Sequence, residues 1–137
     1  MSSGIRKVGV IGMGLMGSGI AQVAAMRKFE TVVMDVSAEM ISRGMERIRD
    51  SIKRMVATFA KTGGKSGISP EEELQILARI KSGVNLHDVL QCDAIVEAVV
   101  EDEAAKKNLI GSLAQMGYKN FLVSNTSSIS ITRLGAV

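Results

Sequence analysis

Gly12-Met13-Gly14-Leu15-Met16-Gly17 decides the reading of this chain, because of what stands on either side of it. Before it runs Ile5 to Ile11, whose Val8, Val10 and Ile11 make a β-rich segment interrupted by Gly9. Such a dense apolar run suits a buried parallel strand. After it come Ile20, Ala21, Val23, Ala24 and Met26, a compact helix ending near Arg27 and Lys28. Basic residues there suit the negative end of a helix. G-x-G-x-x-G between a strand and a helix is the context of a dinucleotide-binding turn. Gly12 permits the tight exit from the strand. Gly14, with no side chain, lets a pyrophosphate approach the backbone, and Gly17 lets the helix pack closely on the sheet. The unpaired N–H groups of the helix start then face the negative charge.

The next strand strengthens the reading. Val32, Val33 and Met34 form a continuous apolar run within Thr31 to Asp35, and Asp35 closes it. An acid about 20 residues beyond the glycines is placed to accept hydrogen bonds from an adenine ribose. It would also repel the additional phosphate of NADP, so NAD is the expected cofactor. Two alternatives stay open on these residues. An FAD site carries the same fingerprint and acid. A glycine-rich strand-to-helix turn, with Asp35 capping the following helix, needs no ligand at all. A P-loop is excluded, since no Gly-Lys-Ser or Gly-Lys-Thr follows the cluster; Lys65-Ser66 follows Gly63-Gly64 in the wrong context.

From Ser37 the period changes. Ile41, Met45, Ile48, Ile52, Met55 or Val56, and Phe59 recur at three- and four-residue intervals, with arginines, lysines and acids between them. That predicts a long amphipathic helix, capped by Ser37 or Asp35. Thr62 to Ser69 breaks the pattern as a surface loop. Ser69-Pro70-Glu71-Glu72 starts another helix, predicted to run to about Ile80 with Leu74, Leu77 and Ala78 inward. A short strand is expected at Val84 to Leu86 and a stronger one at Ala94 to Val100. Glu103 to Met116 reads as a helix with Leu109, Leu113 and Met116 on one face, ended by Gly117. Phe121 to Val123 is a further strand, and a last turn or helix starts near Ile129. Strands and helices alternate, which predicts an α/β fold: a Rossmann-like, doubly wound, mostly parallel sheet with helices on both faces. No repeat and no linker divides the chain, so residues 1–137 read as one domain.

Composition removes other classes. The 137 residues are 46% hydrophobic and 23% charged, enough apolar content for a core. Lys plus Arg is 17 against 14 for Asp plus Glu, a net charge of +3. The basic residues are interspersed with acids, and three phenylalanines and one tyrosine are the only aromatics. No concentrated basic stripe marks a nucleic-acid footprint. One cysteine, Cys92, and one histidine, His87, make neither a disulfide nor a typical structural zinc site. No apolar run is long enough to cross a bilayer, and the start lacks a secretory leader pattern. A soluble, reducing compartment such as the cytoplasm is expected, with no metal and no membrane partner. His87 reads as a surface or capping residue and Cys92 as a buried, inert thiol. The methionines mostly sit at core spacing, with Met13 and Met16 the exceptions in the glycine turn.

A second group of polar residues gathers where predicted strands end. Glu97 and Glu101 flank the end of the Ala94 strand, Lys106 follows on the helix, and Asn125, Ser127 and Ser128 follow the Phe121 strand. Ligands of open α/β sheets bind outside such carboxyl ends. A polar turn capping the next helix is the plainer account of 125–128. A carboxylate inside an apolar strand, as at Glu97, must be paired, hydrogen-bonded or at the sheet's end.

Three stretches, in this order, resemble the 3-hydroxyacyl-CoA dehydrogenases: Val8 to Ala21; Asp93-Ala94-Ile95-Val96-Glu97-Ala98-Val99-Val100-Glu101-Asp102 with Lys106-Lys107 beyond; and Ser124-Asn125-Thr126-Ser127-Ser128-Ile129. The last is the most specific. The resemblance implies that Gly12, Met13, Gly14, Leu15, Met16 and Gly17 form the NAD pyrophosphate turn and that Asp35 holds the adenine ribose. It places Glu101, Lys106 and Asn125 on the nicotinamide side, and Ser127 on the 3-hydroxyl or 3-keto oxygen of the substrate. Ser127 and Asn125 are thus the implied catalytic residues. Lys65 matches a lysine that meets the acyl-CoA. The implied reaction is reversible NAD-linked oxidation of an L-3-hydroxyacyl-CoA to the 3-ketoacyl-CoA. The family's general-base histidine lies in a His-Phe-Phe-Asn-Pro segment that would fall beyond Val137, as would the final strand and the helical C-terminal domain that carries the dimer contacts. The chain is therefore expected to be an incomplete NAD-binding domain, inactive alone, from a homodimeric parent. Its rivals are a non-catalytic NAD-binding module and a flavin-linked oxidoreductase domain.

Overall fold

A computed structural model describes residues 4–99 and 103–124. β1 (Lys7–Ile11) leads through the glycine turn into α1 (Leu15–Met26), β2 (Glu30–Met34) and α2 (Ala38–Lys61). Then come α3 (Pro70–Ala78), β3 (Ile80–Gly83), a 3-10 turn (Leu86–Val89), β4 (Ala94–Glu97), α4 (Glu103–Gln115) and β5 (Phe121–Ser124). The strands lie in the order β3-β2-β1-β4-β5, and every neighbouring pair is parallel.

Strand alternation sorts the core into two layers. Val10 and Val33 point to one face, where they pack with Ala21, Ile41, Ile48, Ile52 and Ile76 from the first three helices. Ile11, Val32, Met34, Ile95 and Leu122 point to the other, against Val89, Cys92, Leu113 and Tyr118. Helices on both faces explain why these strands read as continuous apolar runs. The expected doubly wound architecture is what the structure shows.

Local chemistry sets the element ends. The Ser37 hydroxyl caps α2 by accepting from the Met40 N–H at 3.2 Å. Ser69 and Glu72 form a reciprocal capping box, with Pro70 beginning α3. Gly117, at φ +89°, ends α4. Asp93 starts the sheet by accepting from the Arg6 and Lys7 N–H groups at 2.8 and 2.9 Å. Those two backbone donors hold its carboxyl below the usual range.

Four expectations need correction. The strand anticipated at Val84 to Leu86 is instead Ile80–Gly83, and α3 stops at Ala78. This strand lies at the edge beyond β2; Lys81 and Ser82 are exposed, so no apolar run betrays it. Leu74 is exposed, as is Ala78, and Ile76 makes the buried contact of α3. Helix α4 turns Leu113 fully inward, while Met116 past its end is exposed. Finally, Met13 belongs to the core: its side chain is fully buried, against Gly44 of α2.

Candidate functional site

The fingerprint glycines differ in what demands them. Gly12 has φ +100°, and a Cβ there would lie 2.9 Å from the Ala98 carbonyl group of the neighbouring strand end. A Cβ on Gly17 would lie 1.6 Å from the Gly12 oxygen. Both are glycine because the protein itself leaves no alternative. Gly14 is different. Its backbone is ordinary, φ −74° and ψ −162°. A Cβ would meet nothing closer than the tip of Met40, at 3.9 Å. Among the described residues, no other atom fills the space in front of Gly14.

Gly14 is also the N-cap of α1. That helix has no side-chain cap and no acid in its first turn, whereas α2 and α3 are both capped by serines. Its first N–H groups thus keep the positive end of the helix for something else. Leu15 and Met16 are exposed, so what they bring to the turn is their backbone N–H groups.

Asp35 follows directly on β2. One carboxylate oxygen accepts from the Met13 N–H at 2.9 Å, the other from the Ser37 N–H at 3.0 Å. The acid therefore staples the glycine turn to the start of α2. Each oxygen has a further lone pair for a ligand hydroxyl. Gly12, Gly14, Asp35 and Val36 line a cleft of about 390 Å³ with Met40, Ala98, Val99, Ala105 and Leu109. It opens beyond the carboxyl ends of β1, β2 and β4. The strand order reverses between the neighbours β1 and β4, and at such a switch point open α/β sheets take ligands. Met40 and Ala105 carry no motif, and Ala98 and Leu109 read only as parts of a family-like stretch and of a helix face, not as lining of a cleft. The parallel register and the return of α4 bring them here, and sequence spacing alone gave no sign of it.

A polar group lies under the β4–β5 side. Glu97 is fully buried at the end of β4, and its register partner is Ser124. The Ser124 hydroxyl donates to Oε1 at 2.7 Å, the Val99 N–H donates to Oε2, and Lys106 Nζ lies 3.8 Å from Oε1. Lys106 is thereby brought to the same strand ends as the glycine turn. Lys65 is not: it sits beyond the C-terminal end of α2, and the N-terminal end meets Asp35. Those ends are about 36 Å apart at helical rise. Glu101, Asn125 and Ser127 lie outside the described residues. His87 is exposed on the 3-10 turn. Cys92 is buried, and desolvation pushes its thiol up to about 11. Among the described residues no group of three or more His, Cys, Asp or Glu could hold a metal, and no helix is long and apolar enough to cross a membrane.

The strand order, the glycine turn at the crossover and the acid closing β2 define a Rossmann-like dinucleotide-binding fold. The chain belongs to the 3-hydroxyacyl-CoA dehydrogenase family: residues 7–137 match the model of its NAD binding domain. A 3-hydroxybutyryl-CoA dehydrogenase of Bradyrhizobium diazoefficiens is 40% identical over 137 residues, covering 99% of this chain and 44% of that protein. The 3-hydroxyadipyl-CoA dehydrogenase of Escherichia coli K12 is 34% identical, over 99% of this chain and 27% of that protein. Among solved structures, the (S)-3-hydroxybutyryl-CoA dehydrogenase of Ralstonia eutropha superposes with a TM-score of 0.81 at 32% identity, covering 97% of this chain and 45% of that one. The chain spans less than half the length of these relatives.

Proposed function

We propose that this chain binds NAD and supplies the NAD-binding part of an enzyme that oxidises L-3-hydroxyacyl-CoA to 3-ketoacyl-CoA. The observation that carries the reading is Gly14, a glycine that no contact among the described residues requires, at the uncapped start of α1. Open space over unpaired N–H groups is what a pyrophosphate needs. The residues present fit the group. The N–H groups of the α1 start hold the pyrophosphate, and Asp35 accepts from the adenine ribose hydroxyls while repelling a 2′-phosphate. Val36 and Met40 offer apolar surface to the adenine.

NAD supplies the acceptor for the hydride that leaves carbon 3 of the substrate. The chain's own residues orient and exclude. Lys106, Glu101 and Asn125 border the nicotinamide side, and Ser127 hydrogen-bonds the 3-oxygen. Lys65 contacts the acyl-CoA. The hydroxyl proton goes to the general-base histidine that the family resemblance implies.

Calorimetric titration with NADH, NADPH and acetoacetyl-CoA tests the reading. NADH binding with little NADPH binding is the expected result, with acetoacetyl-CoA weak. A folded chain that takes up no NADH overturns the proposal.

A further inference from the structure

Glu97 is a strange residue to find where it is. It is fully buried at the end of a core strand, on the same face as Ile95. A carboxylate removed from water costs several kcal/mol unless charge and hydrogen bonds offset it. An apolar residue would fill the position without that cost. What Glu97 touches shows what its retention achieves.

Its three partners among the described residues come from three segments. The Val99 N–H belongs to the turn leaving β4, whose Ala98 and Val99 form a wall of the cleft. Ser124 closes β5, directly ahead of Asn125. Lys106 stands in the first turns of α4, next to the cleft residue Ala105. The Lys106 side chain is only 13% exposed, so its ammonium is held inward. One carboxylate thus gathers the three segments that border the β4–β5 half of the cleft. Asp35 lies at the opposite end, beyond β2. A dinucleotide laid across the strand ends with its adenine ribose on Asp35 places its nicotinamide half over β4 and β5.

We infer that Glu97 is a positioning residue for the nicotinamide half of the cofactor, acting through Lys106, the Val99 turn and Ser124. This rests on the NAD reading above and deepens it. Its loss leaves the adenine half of the site, built on Asp35 and α1, as it was. A carboxylate accepts from all three donors at once. A glutamine offers a single acceptor oxygen and turns an NH2 donor toward the others, so Glu97→Gln undoes the arrangement with almost no change of volume.

The experiment compares two ligands on the same chain. NADH spans the whole cleft, and ADP-ribose lacks the nicotinamide. Both are titrated calorimetrically into wild type, Glu97→Gln and Ser124→Ala, with unfolding curves confirming that each variant is folded. The expected result is NADH binding weakened about tenfold, the worth of one hydrogen bond to a charged group. ADP-ribose binding should stay within twofold of wild type. Ser124→Ala, which removes one donor to Glu97 at a residue given no cofactor contact of its own, carries the test if Glu97→Gln does not fold. Equal weakening of both ligands shows a general structural role and overturns the inference while leaving the NAD reading intact. Unchanged NADH affinity overturns it too. Wild type that binds neither ligand defeats the NAD reading itself, and the inference with it.

Discussion

Gly14 and Gly17 stand three positions apart in the same turn, yet a methyl group should do opposite things at each. At Gly17 the new carbon would lie 1.6 Å from the Gly12 oxygen. That atom is backbone, so no side-chain rotation relieves the clash. The loss of stability should be at least about 3 kcal/mol, the upper range for overpacking. At Gly14 the nearest atom is the flexible end of Met40 at 3.9 Å, and φ and ψ suit any residue. Reduced freedom of the unfolded chain favours alanine by about 0.4–1 kcal/mol. The poorer N-cap propensity of alanine opposes it by a similar amount, roughly 0.5–1 kcal/mol. Gly14→Ala should therefore unfold in urea within about 1 kcal/mol of wild type. Binding should tell the other story, because the methyl occupies the space a pyrophosphate needs. Each N–H bond to a charged oxygen is worth about 1.5–3 kcal/mol. Losing one or two weakens NADH by about 100-fold. The assay is a paired one, urea unfolding and NADH titration on both variants. Gly14→Ala that binds NADH as wild type does would refute the argument that a ligand keeps this position bare. So would Gly17→Ala with wild-type stability.

Asp35→Ala orphans the Met13 and Ser37 N–H groups as well as removing the ribose acceptor. It should lower stability by about 1–3 kcal/mol and narrow the preference for NADH over NADPH; unfolding curves and paired titrations read the two effects, and unchanged stability would count against the staple. Cys92 supplies a pH test. Burial raises its thiol from 9.0 to about 11 in the folded chain, so the folded state holds this proton more tightly than the unfolded one. Its contribution is fully present below pH 9.0 and is lost as pH rises toward about 11. Stability should fall as pH rises from 9.0 toward about 11, and Cys92→Ala should remove that part of the slope; an identical slope in the variant would show that the thiol is not responsible.

The fold was legible wherever burial is two-sided. β1, β2 and β4 lie inside the sheet and read as apolar runs, and the glycine turn between a strand and a helix announced the crossover. β3 was not legible, because an edge strand needs a single inward residue, and Ile80 alone does not make a pattern. The helix around Leu74 misled for a related reason. In so short a helix two leucines suggest a face, but only Ile76 is buried. In the site, Asp35 could be placed from spacing alone, since one helix and one strand separate it from Gly12. Its double hydrogen bond to the turn and to α2 could not. The Glu97 cluster was half visible: an acid in an apolar strand called for partners, but naming Ser124 and Lys106 required the register of β4 on β5. Met13 was misplaced because it stands at a position the glycine motif leaves unspecified. Here that position is filled by core.

That last feature bears on motion. Met13 is fully buried and lies against Gly44, its backbone N–H is tied to Asp35, and Gly12 donates to the Met34 oxygen at 2.8 Å. The glycine turn cannot peel away without drawing Met13 out from under α2. It is thus part of the same cooperative unit as the core, not a loop that opens on its own. The amide hydrogens of Gly12 and Met13, bonded to Met34 and Asp35, should exchange with solvent only through large-scale opening, in spite of the glycines on either side. A ligand arriving there meets a turn that is already ordered, so little chain entropy remains to be lost on binding.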